Sequence, residues 1–197
     1  TLEEPPRDSL LMLISTGIGG LLPTLLSRCV RLSFPPLPVE LVTRFLVSER
    51  GIKQDKAEVL AAMTMGSLGA AIRLEAEDLL EKRKIWAEKI DSLEQENYRE
   101  GMVLAEEFAG TREKSLEFLE WLEGWYRDIL VYRATESLQG ICNLDMEKEI
   151  KNQAKLCKLE RALFILAHAV KTRRRIQRNA NRRMALENLL TEIVRKY

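Results

Sequence analysis

Apolar residues follow one rhythm before the junction Pro35-Pro36-Leu37-Pro38 and another after it. Before it, Ser9-Leu10-Leu11-Met12-Leu13-Ile14-Ser15-Thr16 is a continuous apolar run of strand length, closed by Gly17, Gly19 and Gly20. Continuous rather than alternating hydrophobicity suits a strand buried on both faces, as in a parallel sheet. Leu21–Arg28 predicts a short helix with Pro23 in its first turn, where the missing N–H costs little. Val30-Arg31-Leu32-Ser33-Phe34 alternates and reads as a second strand. Two strands and a turn of helix cannot stand alone. Residues 1–35 therefore read as the tail of an α/β domain, and the proline cluster marks its boundary.

After the junction the period becomes helical. Val39–Glu49 carries a stripe of Val39, Val42, Phe45 and Leu46 that ends near Gly51. Lys53–Met65 repeats it with Ala57, Leu60, Ala61 and Thr64, and Gly66-Ser67-Leu68-Gly69 breaks it. Ser67 reads as the N-cap of a long third helix through Ala70, Ala71 and Leu74 toward Ile90. These three helices form a small module over residues 36–92. From Ser92 onward the chain stays helical. Leu116, Leu119, Leu122, Tyr126, Ile129 and Leu130 define one amphipathic helix. Leu156, Leu159, Leu163, Leu166 and Val170, spaced 3, 4, 3 and 4, predict an apolar seam. Leu186, Leu189, Leu190, Ile193 and Val194 define the last helix, with turns at Gly140, Asn143 and residues 179–181. The expected chain is mainly α, with residues 93–197 as an all-α helical bundle.

Composition narrows this picture little. The chain has 197 residues, 46% of them hydrophobic and 6% aromatic, and 31 basic against 30 acidic side chains leave a net charge of +1. Any electrostatic role must come from local clusters. Cys29, Cys142 and Cys157 show no CxxC spacing, so they read as reduced thiols of a cytoplasmic protein rather than as disulfides or zinc ligands. Leu10–Ile14, the longest apolar stretch, is far shorter than the roughly 20 residues a membrane span needs. The chain opens on Thr1-Leu2-Glu3-Glu4-Pro5-Pro6 with no initiator Met and reads as cut from something longer. His168 is the sole histidine and, without Cys or carboxylate neighbours in sequence, reads as structural. Trp121 and Trp125, one turn apart, read as core or interface anchors. The Glu/Lys-rich stretch 75–100 reads as a solvated helix surface.

Three segments carry a resemblance. Leu2-Glu3-Glu4-Pro5-Pro6, the apolar run ending in Ser15-Thr16, and Leu21-Leu22-Pro23-Thr24-Leu25-Leu26-Ser27-Arg28-Cys29 are similar to the end of the AAA+ ATPase domain of bacterial clamp-loader subunits of DNA polymerase III. Gly66-Ser67-Leu68-Gly69-Ala70-Ala71-Ile72-Arg73-Leu74 resembles the start of their third lid helix. Residues 178–190, with a basic turn before the last helix, resemble their collar-domain signature. The three occur in the family's order and cover nearly the whole chain. The implied organisation is the end of an AAA+ domain at 1–35, a three-helix lid at 36–92, and an oligomerising collar at 93–197.

The resemblance also implies roles. Arg28, between Ser27 and Cys29, would reach across a subunit interface to a neighbouring motor subunit's ATP, where a guanidinium stabilises charge developing on the γ-phosphate. Taken alone, it would read as an Arg pairing with an acidic neighbour at a helix end. Thr16 falls where related ATPases place a polar sensor of the γ-phosphate, and it reads equally as a Thr closing its own turn. Motor subunits carry an Arg-Asp pair where this chain has Gly69-Ala70, so a non-motor subunit is implied, although Arg73 lies one turn on. No GxxxxGK[ST] loop, cofactor motif or metal set occurs in these residues. No catalytic activity is expected from this stretch itself. The implied partners are gamma/tau-like motor subunits and a delta-like subunit in a hetero-pentamer, with DNA and the sliding clamp engaged indirectly. The alternatives are an ATP-hydrolysing motor subunit or a helical DNA-binding module.

Lys171, Arg173, Arg174, Arg175, Arg178, Arg182 and Arg183 form a basic run with no acidic residue between His168 and Glu187. It reads either as a contact for DNA phosphates or an acidic partner, or as a solvated helix end and subunit contact. The second reading is preferred, because no aromatic residues interleave the run for base stacking.

Overall fold

The computed structural model describes residues 8–15, 21–76, 79–93 and 98–195, and it divides into two units, Thr1–Pro36 and Leu37–Tyr197. In the first unit the only helix among the described residues is α1 (Pro23–Leu26). Pro23 occupies its first turn after an extended Leu22, as the fixed φ of proline favours. The predicted strands do not form: residues 9–15 and 30–38 have no regular structure. A ladder needs a neighbouring strand, and the described residues of this unit supply none. Leu10, Met12, Ile14, Val30, Leu32 and Phe34 are accordingly exposed.

The second unit begins with three helices, α2 (Val39–Arg50), α3 (Gln54–Met63) and α4 (Leu68–Ala76). Gly51 ends α2 at φ 67°, a left-handed conformation in which its N–H bonds Val47 O and the Ile52 N–H reaches Leu46 O. A side chain there would meet no atom within 4 Å, so the conformation rather than space calls for glycine. Ser67 Oγ accepts the Ala70 N–H at 3.4 Å, as expected of an N-cap. The third helix foreseen as running to Ile90 is described as α4 and α5 (Leu79–Leu93), with residues 77–78 outside the described set. Val42, Leu46, Ala57, Leu60, Ala61, Ala71 and Leu80 form the core of this part.

The remaining helices are α6 (Tyr98–Phe108), α7 (Arg112–Thr135), α8 (Glu147–Leu156), α9 (Leu159–Gln177) and α10 (Arg182–Val194). Thr111 caps α7 through the Lys114 N–H, and Asn181 caps α10 through the Met184 N–H. α7 packs along α8 and α9, while α10 packs on α6 and α9. The core holds all three tryptophans. Trp86 meets Phe108 and Phe118 edge-on, Phe108 stacks on Phe118 at 3.8 Å between centroids, and Trp121 lies against Trp125. Trp121 and Trp125 are thus core anchors. Phe118→Ala is expected to remove about 3–5 kcal/mol of stability. In urea titrations the midpoint should fall at constant m-value; an unchanged midpoint would mean the stack adds nothing.

One predicted face is corrected. α9 buries Ala162, Ile165, Ala169, Thr172 and Ile176, whereas Leu156, Leu159 and Leu163 of the expected seam are exposed. The core beside α9 is already filled by Leu119, Leu122, Trp125 and Ile129 of α7 and by Leu186, Leu189 and Leu190 of α10. The face of Ala162, Ile165, Ala169 and Ile176 fills the remaining space, and Leu159 and Leu163 turn outward with Phe164.

Candidate functional site

Ser27, Arg28 and Cys29 follow α1 in a tight turn. The Ser27 N–H bonds Pro23 O at 3.0 Å and the Arg28 N–H bonds Leu25 O at 3.2 Å. Both side chains fold back on one acceptor, with Ser27 Oγ at 3.1 Å and Arg28 Nη1 at 3.0 Å from the Thr24 carbonyl. Ser27 and Arg28 are exposed and Cys29 is half-buried. The short helix thus places an exposed guanidinium on a turn fixed by backbone hydrogen bonds. Thr16 lies outside the described residues.

Gly69 is exposed in the first turn of α4. The Arg73 guanidinium folds back over it, so that a Cβ built on Gly69 would sit 4.0 Å from Arg73 Nη1. The position where motor subunits would carry an arginine is therefore approached by a guanidinium from one turn further on.

The basic run separates into two sets. Arg173 makes a two-pronged pair with Glu123 of α7, Nε to Oε1 at 2.7 Å and Nη2 to Oε2 at 2.9 Å. That bond raises the affinity of the guanidinium for its proton still further. Arg182 Nε donates to the Ala109 carbonyl, and Arg183 pairs with Glu187 and Glu106. Lys171, Arg174, Arg175 and Arg178 are exposed, and none has a carboxylate within 4.0 Å among the described residues.

A buried polar network is absent from the sequence reading. Arg83, within the stretch expected to be solvated, is 0% exposed. Its Nη1 donates to Asn143 Oδ1 at 2.7 Å, and its Nη2 pairs with Asp145. Asp128, also 0% exposed, accepts the backbone N–H groups of Cys142 and Asn143, the Asn143 side-chain amide at 2.7 Å and Arg127 at 3.0 Å. The signal was present: Arg83 interrupts the helical stripe Leu80, Ala87, Ile90 at a core spacing. Burial pushes the Cys142 thiol above its ordinary pKa and Asp128 adds to this, with Arg127 opposing. His168 sits half-buried with its ring 5.9 Å from Phe164.

Among the described residues, no three His, Cys, Asp or Glu side chains gather as a metal set, and no helix is long and apolar enough to cross a membrane.

Residues 77–195 match the sequence model of the DNA polymerase III delta subunit, C terminal, and residues 1–38 match that of the DNA polymerase III delta subunit. The chain is 30% identical over 199 aligned positions to DNA polymerase III subunit delta' of Pseudomonas aeruginosa, covering 98% of this chain and 58% of that protein. With the helical bundle and the Ser27-Arg28-Cys29 turn each falling inside a matched segment, the chain belongs to the DNA polymerase III delta-subunit family and is of the delta-prime type.

Proposed function

We propose that this chain serves as a non-motor subunit of the DNA polymerase III clamp loader in the cytoplasm, joining motor subunits and a delta-like subunit in a hetero-pentamer. In that assembly Arg28 acts in trans on a neighbour's ATP, so that the sliding clamp is loaded on DNA. The observation that carries the reading is the outward row Leu156, Leu159, Leu163 and Phe164 on α8 and α9, with Leu156 73% and Leu163 52% exposed. Large apolar side chains left exposed along a folded bundle mark a surface that another protein covers. The helical domain would supply adhesion, and the Arg28 turn would supply the charge.

The test is reconstitution with partner subunits. Leu163→Glu with Phe164→Glu is expected to abolish co-elution with them on size exclusion, while the melting temperature of the chain stays within a few degrees, because both residues are exposed. Co-elution of the double variant at wild-type yield would sink the reading. The second reading, a subunit that binds ATP itself, draws on the Arg73 guanidinium over Gly69. Titration of the full-length protein with a fluorescent ATP analogue separates the two: saturable binding lost in Arg73→Ala supports the second.

A further inference from the structure

We infer that the C-terminal half of α9 is a contact surface for the phosphate backbone of duplex DNA, formed by Lys171, Arg174, Arg175 and Arg178. The sequence shows seven cations in a row of thirteen residues, and only the fold sorts them. Arg173, Arg182 and Arg183 are spent on Glu123, the Ala109 carbonyl, Glu187 and Glu106. The other four stand at i, i+3, i+4 and i+7, which places them on one side of the helix over about 10 Å of axis. All four are exposed, and among the described residues no carboxylate neutralises them. On a chain whose net charge is only +1, this ridge is a local positive field rather than part of a general one.

The chemistry of the ridge decides between polyanions. A protein partner is met through an apolar centre with a polar rim. Between Lys171 and Arg178 the apolar residue, Ile176, is buried and only cations and Gln177 face out. Phosphodiesters need no apolar centre: point charges spaced along a rod suffice. With no aromatic residue in this stretch, nothing offers bases a stacking platform, so the ridge fits a duplex better than a single strand. The ridge continues, two turns toward the C-terminus, the outward face of α9 that carries Phe164, and it adds a direct DNA contact to the assembly role proposed above.

The experiment measures binding of the full-length protein to a short fluorescein-labelled DNA duplex by anisotropy across a salt series. Four phosphate contacts predict a slope of log K against log salt of about −3.6, or a roughly 100-fold loss between 50 and 200 mM. A variant carrying K171Q, R174Q, R175Q and R178Q is expected to flatten the slope toward zero, whereas R183Q, already engaged internally, leaves it unchanged. The variant must retain its helical circular dichroism and its co-elution with partner subunits, which keeps failure here distinct from failure of the assembly reading. Wild-type protein that does not bind at low salt, or a quadruple variant with the wild-type slope, overturns the inference. So does polyglutamate that displaces the duplex at concentrations where competitor DNA does not, because the ridge would then be an acidic-protein site.

Discussion

In a clamp loader reconstituted with its motor subunits, Arg28→Ala is expected to slow single-turnover ATP hydrolysis at the site it faces on the order of 10³-fold. The γ-phosphoryl group gains charge on its outer oxygens as it leaves, and a planar guanidinium meets that charge with two donors held in fixed geometry. The steady-state rate of the whole assembly falls less, because sites served by other subunits continue. Arg28→Lys retains the charge but lacks the fork, so it should stay near the alanine variant rather than return to wild type. Arg28 Nη1 donates to the exposed Thr24 carbonyl of its own turn, and such a bond contributes only about 1 kcal/mol net. The side chain is exposed, so the substitution should leave folding intact. Wild-type hydrolysis by a fully assembled Arg28→Ala complex would show that this arginine is not the finger.

Asp128→Ala is expected to destabilise the helical domain by about 3–5 kcal/mol, the cost of removing one member of a buried charged network. Asp128 is the acceptor for two backbone N–H groups and for the Asn143 amide, all in the connection from α7 to α8. Without it these donors lie buried and unpaired, and the Arg83–Asn143 bond loses its fixed partner. A thermal melt should move down by roughly 10 °C for a domain of this size. The loosened connection should also raise amide exchange at Cys142 and Asn143 before the rest of the domain. A shift below about 2 °C would mean that water takes over these groups, and that the network orients the loop without stabilising it.

Much of this protein follows from local rules that act within a few residues. The helical period after Pro38, the stop at Gly51, the cap at Ser67, the turn at Asn179 to Asn181 and the buried stripe of α10 all come from backbone propensity and 3.6-residue spacing. These are properties of a segment and its neighbours in sequence. So is the short helix that leads into Ser27, Arg28 and Cys29, whose geometry rests on Pro23 and four backbone hydrogen bonds within the turn.

What required the tertiary structure was every choice between equivalent faces. α9 carries two stripes of the same period, and packing against α7 and α10 selected the Ala162, Ile165, Ala169 and Ile176 stripe for burial, leaving Leu159, Leu163 and Phe164 outside. Arg83 is a charged residue at a core spacing, and it is buried because Asn143 and Asp145, some 60 residues away, come to meet it. The strand expected at residues 9–15 depends on neighbours that the described chain does not provide, because a ladder bond, unlike a helical one, is never internal to its segment. The seven cations of the basic run look alike in sequence. Only the positions of Glu123, Ala109, Glu106 and Glu187 divide them into three that are paired within the domain and four that face outward without a carboxylate partner among the described residues.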